Sequence, residues 1–418
     1  MRPVTRLPGM VDLSQDSWRM RRACQDRVQE LLEGFGYRPV ETPILEPTEL
    51  FLRKSGGALA SQMYSFTDSG NQQVSLRPEF TAPIMRHYLE HASGIPLPAR
   101  FQYAGPVFRF EENGRPGQFT QAGAELIGAS GVAADAEIIS VAAQVPACLG
   151  ISGVRLALAD AGVLHGVLDA LNLSDRAKSF VLGQVSVLRR GTEALPQVLA
   201  RARELNLAGR GPEQGGLAAA IAGLDDSQAR QVLEGLFRWQ GGEPVSALAS
   251  AAVLPPRTSG GLGQRNSEDV VERLLRKLRG SDTPEQVTRG LELVAQLAPL
   301  QGTPPEVLER ARPVLAKAGA NESALDRLSN LAGLLEGEPD LAGQVQVDFG
   351  LVRELAYYNG LVFQAACPSG DGNEPQMVVG GGGRYDGLAR ALGSRGAVPA
   401  LGFAYNLESL MELPGVKF

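Results

Sequence analysis

The chain has 418 residues, 44% of them hydrophobic, enough to bury a substantial core and to divide into two or three domains. Its 40 basic and 46 acidic residues leave a net charge of −6, so no global positive field advertises a nucleic-acid surface, while a local basic groove is compatible with that total. The three cysteines, Cys24, Cys148 and Cys367, stand apart from one another and from the three histidines, which argues against a disulfide framework or a zinc site.

The opening residues MRPVTRLPGMVDLSQDS carry charge but no apolar signal core, and no apolar run approaches the ~20 residues of a membrane span, so a cytoplasmic location is expected. Residues 17–36 predict a helix capped by Asp16, with Trp18, Val28, Leu31, Leu32 and Phe35 toward one side and Gly34 and Gly36 ending it. YRPVETP reads as a short strand closed by Pro43. VSLRPEF reads as a strand running into the helix TAPIMRHYLEHA, with Thr81 as cap and Pro83 tolerated in the first turn. Residues 101–128 predict a hairpin.

From 172 to 340 the character changes: Ala, Leu, Arg and Glu dominate LPQVLARARELN, DDSQARQVLEGLFRW and EDVVERLLRKLRG, which predicts a helical insertion. Strand patterning returns at GQVQVDFG and LVFQAACP, and VVGGGGRYDGLARAL turns from strand through glycines into a helix. Residues 1–171 and 341–418 are therefore expected to share one α+β sheet domain, an antiparallel sheet flanked by helices and interrupted by the insertion.

In VFRFE, period-two geometry sends Arg109 and Glu111 to one face and Phe108 and Phe110 to the other. The return strand QFTQAGAEL aligns Gln121, Gly123 and Glu125, with Gly123 leaving room for a ligand. Two carboxylates and an amide suit an ammonium, and arginine suits a carboxylate or phosphate. An exposed hydrated face would carry the same pattern. LRPEFTAP adds Glu79 and Thr81 at a strand-to-helix junction. The run GGGG before Arg384 lacks the Lys-Ser/Thr ending of a phosphate loop and reads better as close backbone packing; TSGGLGQR reads as a loop within the insertion.

Together these segments resemble a class II aminoacyl-tRNA synthetase catalytic domain, specifically that of histidyl-tRNA synthetase. GYRPVETPILEPTELF resembles the dimer-forming first motif, LRPEFTAPIMR the amino-acid loop, and GPVFRFEENGRPGQFTQAGAELIG the second motif. LVRELAYYNGLVFQ and GGGGRYDGL resemble the two histidine-specific motifs, and PALGFAYNLESL the third class II motif. The resemblance implies that Glu79, Thr81, Gln121 and Glu125 surround the amino and imidazole groups of histidine, with Tyr357 and Tyr358 beside the ring and Arg353 facing the carboxylate. It places Arg109 at the ATP α-phosphate and Glu111 near the adenine, as a vestigial ATP site. It implies no metal and no cofactor.

The departures are specific. The third motif of the family ends in Gly-Leu-Glu-Arg, and here Asn406-Leu407-Glu408-Ser409 lacks that cation. The Gly-Arg-Tyr-Arg of the second motif is GRPG, with Arg115 kept and Gly117 in place of the next arginine. Phe80 stands where the amino-acid loop has glycine, and Glu354 and Ala356 replace the usual glycine and aspartate before the tyrosine pair. Eight residues follow Leu410, where a histidyl-tRNA synthetase continues into an anticodon-binding domain of about a hundred residues, so no such domain is expected.

These features resemble the synthetase-like regulatory subunits of ATP phosphoribosyltransferase. That resemblance implies a non-catalytic chain that activates a short-form catalytic subunit in histidine biosynthesis and senses histidine. It implies a homodimer within a hetero-octamer and no tRNA or membrane partner. The alternative is a trimmed synthetase or paralogue that activates histidine or another amino acid with ATP.

Overall fold

The computed structural model of the protein describes residues 3–53, 57–110, 117–205, 282–351, 358–369 and 376–416, with five isolated positions between 207 and 232. The chain enters through α1 (Gln15–Gly34), where Ser14 accepts from the Ser17 N–H at 3.1 Å. The cap is therefore Ser14, and Asp16 lies in the first turn, where its charge complements the helix dipole. Cys24, Val28 and Leu32, spaced by four, are buried. Trp18 and Phe35, expected on that side, are exposed. Trp18 falls roughly 80° from Val28 around the helix at ~100° per residue, and Phe35 lies past the last turn as the C-cap. Gly36 follows with φ +81°, the left-handed value that ends helices.

The elements then run β1 (Arg38–Pro39), β2 (Leu45–Pro47), α2 (Thr48–Leu52), α3 (Gly57–Gln62), β3 (Ser65–Thr67), β4 (Gln73–Leu76) and α4 (Thr81–His91). The predicted hairpin follows as β5 (Ala99–Phe108) and β6 (Gln118–Ile127), then α5 (Val132–Cys148), β7 (Arg155–Asp160) and α6 (Ala161–Ala170). Next come α7 (Asp175–Gly183), α8 (Val185–Leu188), α9 (Leu195–Glu204), α10 (Pro284–Leu297), β8 (Gln301–Gly302), α11 (Pro304–Ala318), α12 (Ser323–Glu336) and β9 (Val345–Asp348). The last described elements are β10 (Leu361–Pro368), β11 (Gln376–Arg384), α13 (Leu388–Ala391), β12 (Ala400–Asn406) and α14 (Leu407–Met411).

Nine strands form one sheet in the order β1-β5-β6-β12-β11-β10-β7-β9-β8, and β2-β4-β3 form a second. The large sheet is antiparallel except where β1 joins β5 and β7 joins β9. The two ends of the chain meet in its middle, where β6 pairs with β12 from Gln121↔Asn406 to Ile127↔Ala400. One face is covered by α1, α5 and α12 over a continuous apolar core. Ala122, Ala124 and Leu126 of β6 enter that core, so Gln121, Gly123 and Glu125 face the opposite side.

Within the expected insertion, α10 packs on α6, α7 and α9, α12 packs on α5 and β7, and β8 pairs with β9 at the sheet edge. DDSQARQVLEGLFRW lies largely, and EDVVERLLRKLRG and TSGGLGQR wholly, outside the described residues. The glycine run 380–383, read as close backbone packing on the way from strand to helix, lies inside β11, paired on both sides. A Cβ on Gly382 would stand 2.0 Å from the Gly402 carbonyl oxygen, so close strand approach explains the composition. Among the described residues no helix is long and apolar enough to cross a membrane.

Candidate functional site

The site grows from the short link between β4 and α4. The expected cap, Thr81, is the first helical residue and caps nothing. The Glu79 carboxylate does so instead, accepting the Thr81 N–H at 2.5 Å and the Ala82 N–H at 3.1 Å. That division of labour frees the Thr81 hydroxyl, which donates to Glu125 Oε1 at 2.7 Å. Helix α4 is thereby tied to the polar face of β6, and all three side chains are buried.

Glu125 is the centre of the arrangement. Besides Thr81, the Tyr385 hydroxyl donates to its Oε2, and the Tyr103 hydroxyl lies 3.4 Å from Oε1. Its space comes from the neighbouring strand: a Cβ on Gly402 would stand 1.6 Å from Glu125 Oε2. Burial pushes the Glu125 carboxyl up to about 8, with the Glu79 charge adding to the rise and the hydroxyl donors opposing it. Burial also raises Glu79, against its two N–H donors and the nearby Arg109 charge. Neither carboxylate has an ion-pair partner among the described residues. Two buried acids with no ion-pair partner among the described residues can accept a cation, or a neutral donor while Glu125 keeps its proton.

Gln121 lies two strand alternations from Glu125, on the same face, and its Oε1 is buried without a hydrogen-bond partner among the described residues. An orphaned acceptor of this kind can take a donor from ordered water or from a ligand. Tyr358 is half-buried, its ring against Gly383, and it precedes β10 rather than lying in a strand. Arg109 follows the end of β5, donates from Nε to the Pro78 carbonyl at 2.9 Å and lies over the Phe119 ring. Phe110, the next residue, is exposed and outside the strand, so the predicted alternation stops at Phe108. Arg353, Tyr357, Glu111, Arg115, Glu354 and Ala356 lie outside the described residues.

Gly123 is not an opening for a ligand: Tyr103 is its cross-strand partner, and a Cβ there would stand 2.6 Å from the Tyr103 hydroxyl and 2.1 Å from the Phe403 carbonyl oxygen. Tyr103, Tyr385 and Gly402 are site components that pattern reasoning passed over. Arg384, beside Tyr385, is committed elsewhere: it binds Asp135 through Nε at 3.0 Å and Asp386 at 3.2 Å. No three His, Cys, Asp or Glu side chains among the described residues converge on a metal position.

At the third-motif end, Asn406 caps α14 by accepting the Ser409 N–H at 3.1 Å. Glu408 accepts from the Thr120 N–H at 2.8 Å and the Thr120 hydroxyl at 2.9 Å, and lies 3.8 Å from Arg21. No cation stands in the sequence of this helix, LESLM. Gly117 donates its N–H to the Gly9 carbonyl at 2.6 Å, and a Cβ there would stand 2.7 Å from the Tyr64 hydroxyl.

Over its length the chain is similar to the histidine–tRNA ligase of Thermococcus kodakarensis, 27% identical over 415 residues, covering 99% of this chain and 75% of the relative. Similarity to the histidine–tRNA ligase of Pyrococcus furiosus is also 27%, over 99% of this chain and 76% of that one. The fold matches a Bacillus halodurans structure described as an ATP phosphoribosyltransferase regulatory subunit/histidyl-tRNA synthetase, with TM-score 0.64 and 21% identity, covering 100% of this chain and 85% of that one. It also matches a histidine–tRNA ligase subunit from Alicyclobacillus acidocaldarius, with TM-score 0.57 and 24% identity, over 99% and 97% of the two chains. The fold is that of the class II aminoacyl-tRNA synthetases, with a large central sheet and flanking helices. The family model for histidyl-tRNA synthetase matches residues 9–202 and 245–410, most of the sequence, and the chain therefore belongs to the histidyl-tRNA synthetase family.

Proposed function

We propose that this member of the family is a non-catalytic regulatory subunit that activates a short-form ATP phosphoribosyltransferase and senses histidine in a cytoplasmic hetero-oligomer. The observation that carries the reading is an amino-acid pocket kept beside phosphate positions stripped of charge. Glu79, Thr81, Gln121 and Glu125 are buried, the two acids with no ion-pair partner among the described residues, while Ser409 and Gly117 occupy positions where the resemblance places arginines. A neutral hydroxyl or a hydrogen atom cannot offset triphosphate charge, a contribution worth several kcal/mol in phosphoryl and adenylyl chemistry. Arg353, Tyr357 and Tyr358 complete the histidine site in this reading, and Arg109 and Glu111 are remnants of the ATP site. The sheet of residues 1–171 and 341–418 forms the core, with 172–340 inserted. A regulator needs only that histidine bind two assembly states with different affinity.

Calorimetric titration of histidine into the purified chain, alone and with the catalytic subunit, is expected to show binding; silence in both mixtures removes the sensor. Turnover of the short catalytic subunit is expected to rise on adding this chain and to fall again with histidine. Unchanged turnover removes the regulatory role. The second reading, an enzyme that activates histidine with ATP, is favoured by the ligases among its relatives and by Arg109 beside Glu79. Histidine-dependent pyrophosphate exchange separates the two, since robust exchange requires a working adenylation site.

A further inference from the structure

Phe80 stands where the resembling loop has glycine, yet its backbone, at φ −103° and ψ −21°, is ordinary for an L-residue. The side chain is the one with work to do. It is 1% exposed, and its ring stacks on Tyr103 with centroids 4.4 Å apart and planes 15° from parallel. The Arg77 guanidinium sits over the same ring at 4.0 Å, fixed by the Pro106 carbonyl at 2.9 Å and the Thr42 carbonyl at 2.6 Å.

Two glycines make the space. A Cβ on Gly105 would stand 2.8 Å from Arg77 Nη2 and 3.2 Å from Phe80 Cζ, and one on Gly123 would strike the Tyr103 hydroxyl. The Tyr103 ring thus lies across its cross-strand glycine, its hydroxyl 3.2 Å from the Phe403 carbonyl and 3.4 Å from Glu125 Oε1. Thr81 and Tyr385 also donate to Glu125, and Glu79 is the nearby acid; the Tyr103 hydroxyl comes to Glu125 from a ring that stacks on Phe80.

We infer that Phe80 is a positioning residue of the amino-acid pocket: by stacking on Tyr103 it holds the Tyr103 hydroxyl at Glu125 and so fixes the floor on which the ligand rests. The inference rests on reading the pocket as a histidine site. It turns the departure from glycine into a part of the site, with the consequence that restoring glycine weakens binding.

The test is histidine titration into the full chain and into Phe80→Leu, Tyr103→Phe, the double variant and Phe80→Gly, across pH 6 to 9, with thermal unfolding of each. Phe80→Leu and Tyr103→Phe are each expected to weaken histidine by about three- to tenfold, the range of an aromatic pair, and the double variant by no more than the worse single. Loss of a donor raises the Glu125 carboxyl, so both singles are expected to move the midpoint of the affinity–pH profile upward, which a purely structural role would not do. Phe80→Gly is expected to bind more weakly than the parent. Multiplicative losses in the double variant, parental affinity in Phe80→Leu, or a gain in Phe80→Gly overturns the inference while leaving the histidine site standing. Absence of binding in the parent overturns both. Should Phe80→Leu not fold, Phe80→Met takes its place in the cycle.

Discussion

Glu125 concentrates the chemistry of the site in one carboxyl, and its titration is a direct reading of its burial. In the unfolded chain it titrates in the ordinary range near 4.5, and in the folded chain it is pushed up to about 8. Between those values the folded state holds a proton that the unfolded state has released. The contribution to stability is therefore fully present below about 4.5 and is lost as pH rises through 8. Without ligand, the midpoint of urea unfolding is expected to fall from pH 5 to pH 8, and Glu125→Gln, neutral throughout, is expected to flatten that slope. An equally steep slope in Glu125→Gln would mean that the carboxyl is not held neutral. Glu79, Thr81, Gln121 and Glu125 were legible in the sequence because polar residues at strand and junction positions stand out against an apolar background. Tyr103 and Tyr385 were not, because an aromatic alternating with apolar neighbours reads as core, and only the fold shows that their hydroxyls reach Glu125.

At the scale of elements, the same residues divide between holding the fold and meeting a ligand. Glu79 caps α4, so Glu79→Ala is expected to cost about 1–2 kcal/mol in urea unfolding, the usual loss for a helix cap. Thr81→Val keeps both backbone N–H donors of that cap and is expected to cost the helix little while weakening histidine binding. Equal destabilisation by the two would contradict the division. The glycines of β11 and β12 show why part of the fold resisted reading. Glycine weakens a strand taken alone, so the run 380–383 reads as close backbone packing without showing against what, and its need is set by carbonyls and rings brought in from residues 361, 402 and 405. Hairpin β5–β6 was legible because each strand carries its own alternation; the cap of α1 was misplaced by two residues because Ser14 and Asp16 are both good caps. Gly402→Ala, with its Cβ 1.6 Å from Glu125 Oε2, is expected to abolish detectable histidine binding in calorimetry by expelling the carboxylate.

On the scale of the whole molecule, the pairing of β6 with β12 brings the second and third motifs together, and the charge along that seam separates a receptor from an adenylating enzyme. Two positions flanking one end of it, Gly117 and Ser409, carry no cation where the resemblance implies arginines. At Gly117 the N–H is taken by the Gly9 carbonyl, and any side chain must displace the Tyr64 hydroxyl. At the same end, the neighbour of Ser409 is Glu408, which clasps Thr120 of β6 and Arg21 of α1. The acid thereby ties α14 to β6 and to α1. Installing arginine restores charge, but a guanidinium stabilises phosphate only when its fork is aimed, and at Gly117 the Tyr64 hydroxyl stands in the way. Ser409→Arg, alone and with Gly117→Arg, is expected to give no histidine-dependent pyrophosphate exchange above background, while histidine titration still reports a filled pocket in Ser409→Arg. Robust exchange in either variant would place the chain one or two residues from catalysis and would favour the enzyme reading over the sensor, because a site reshaped for regulation should not recover adenylation by charge alone.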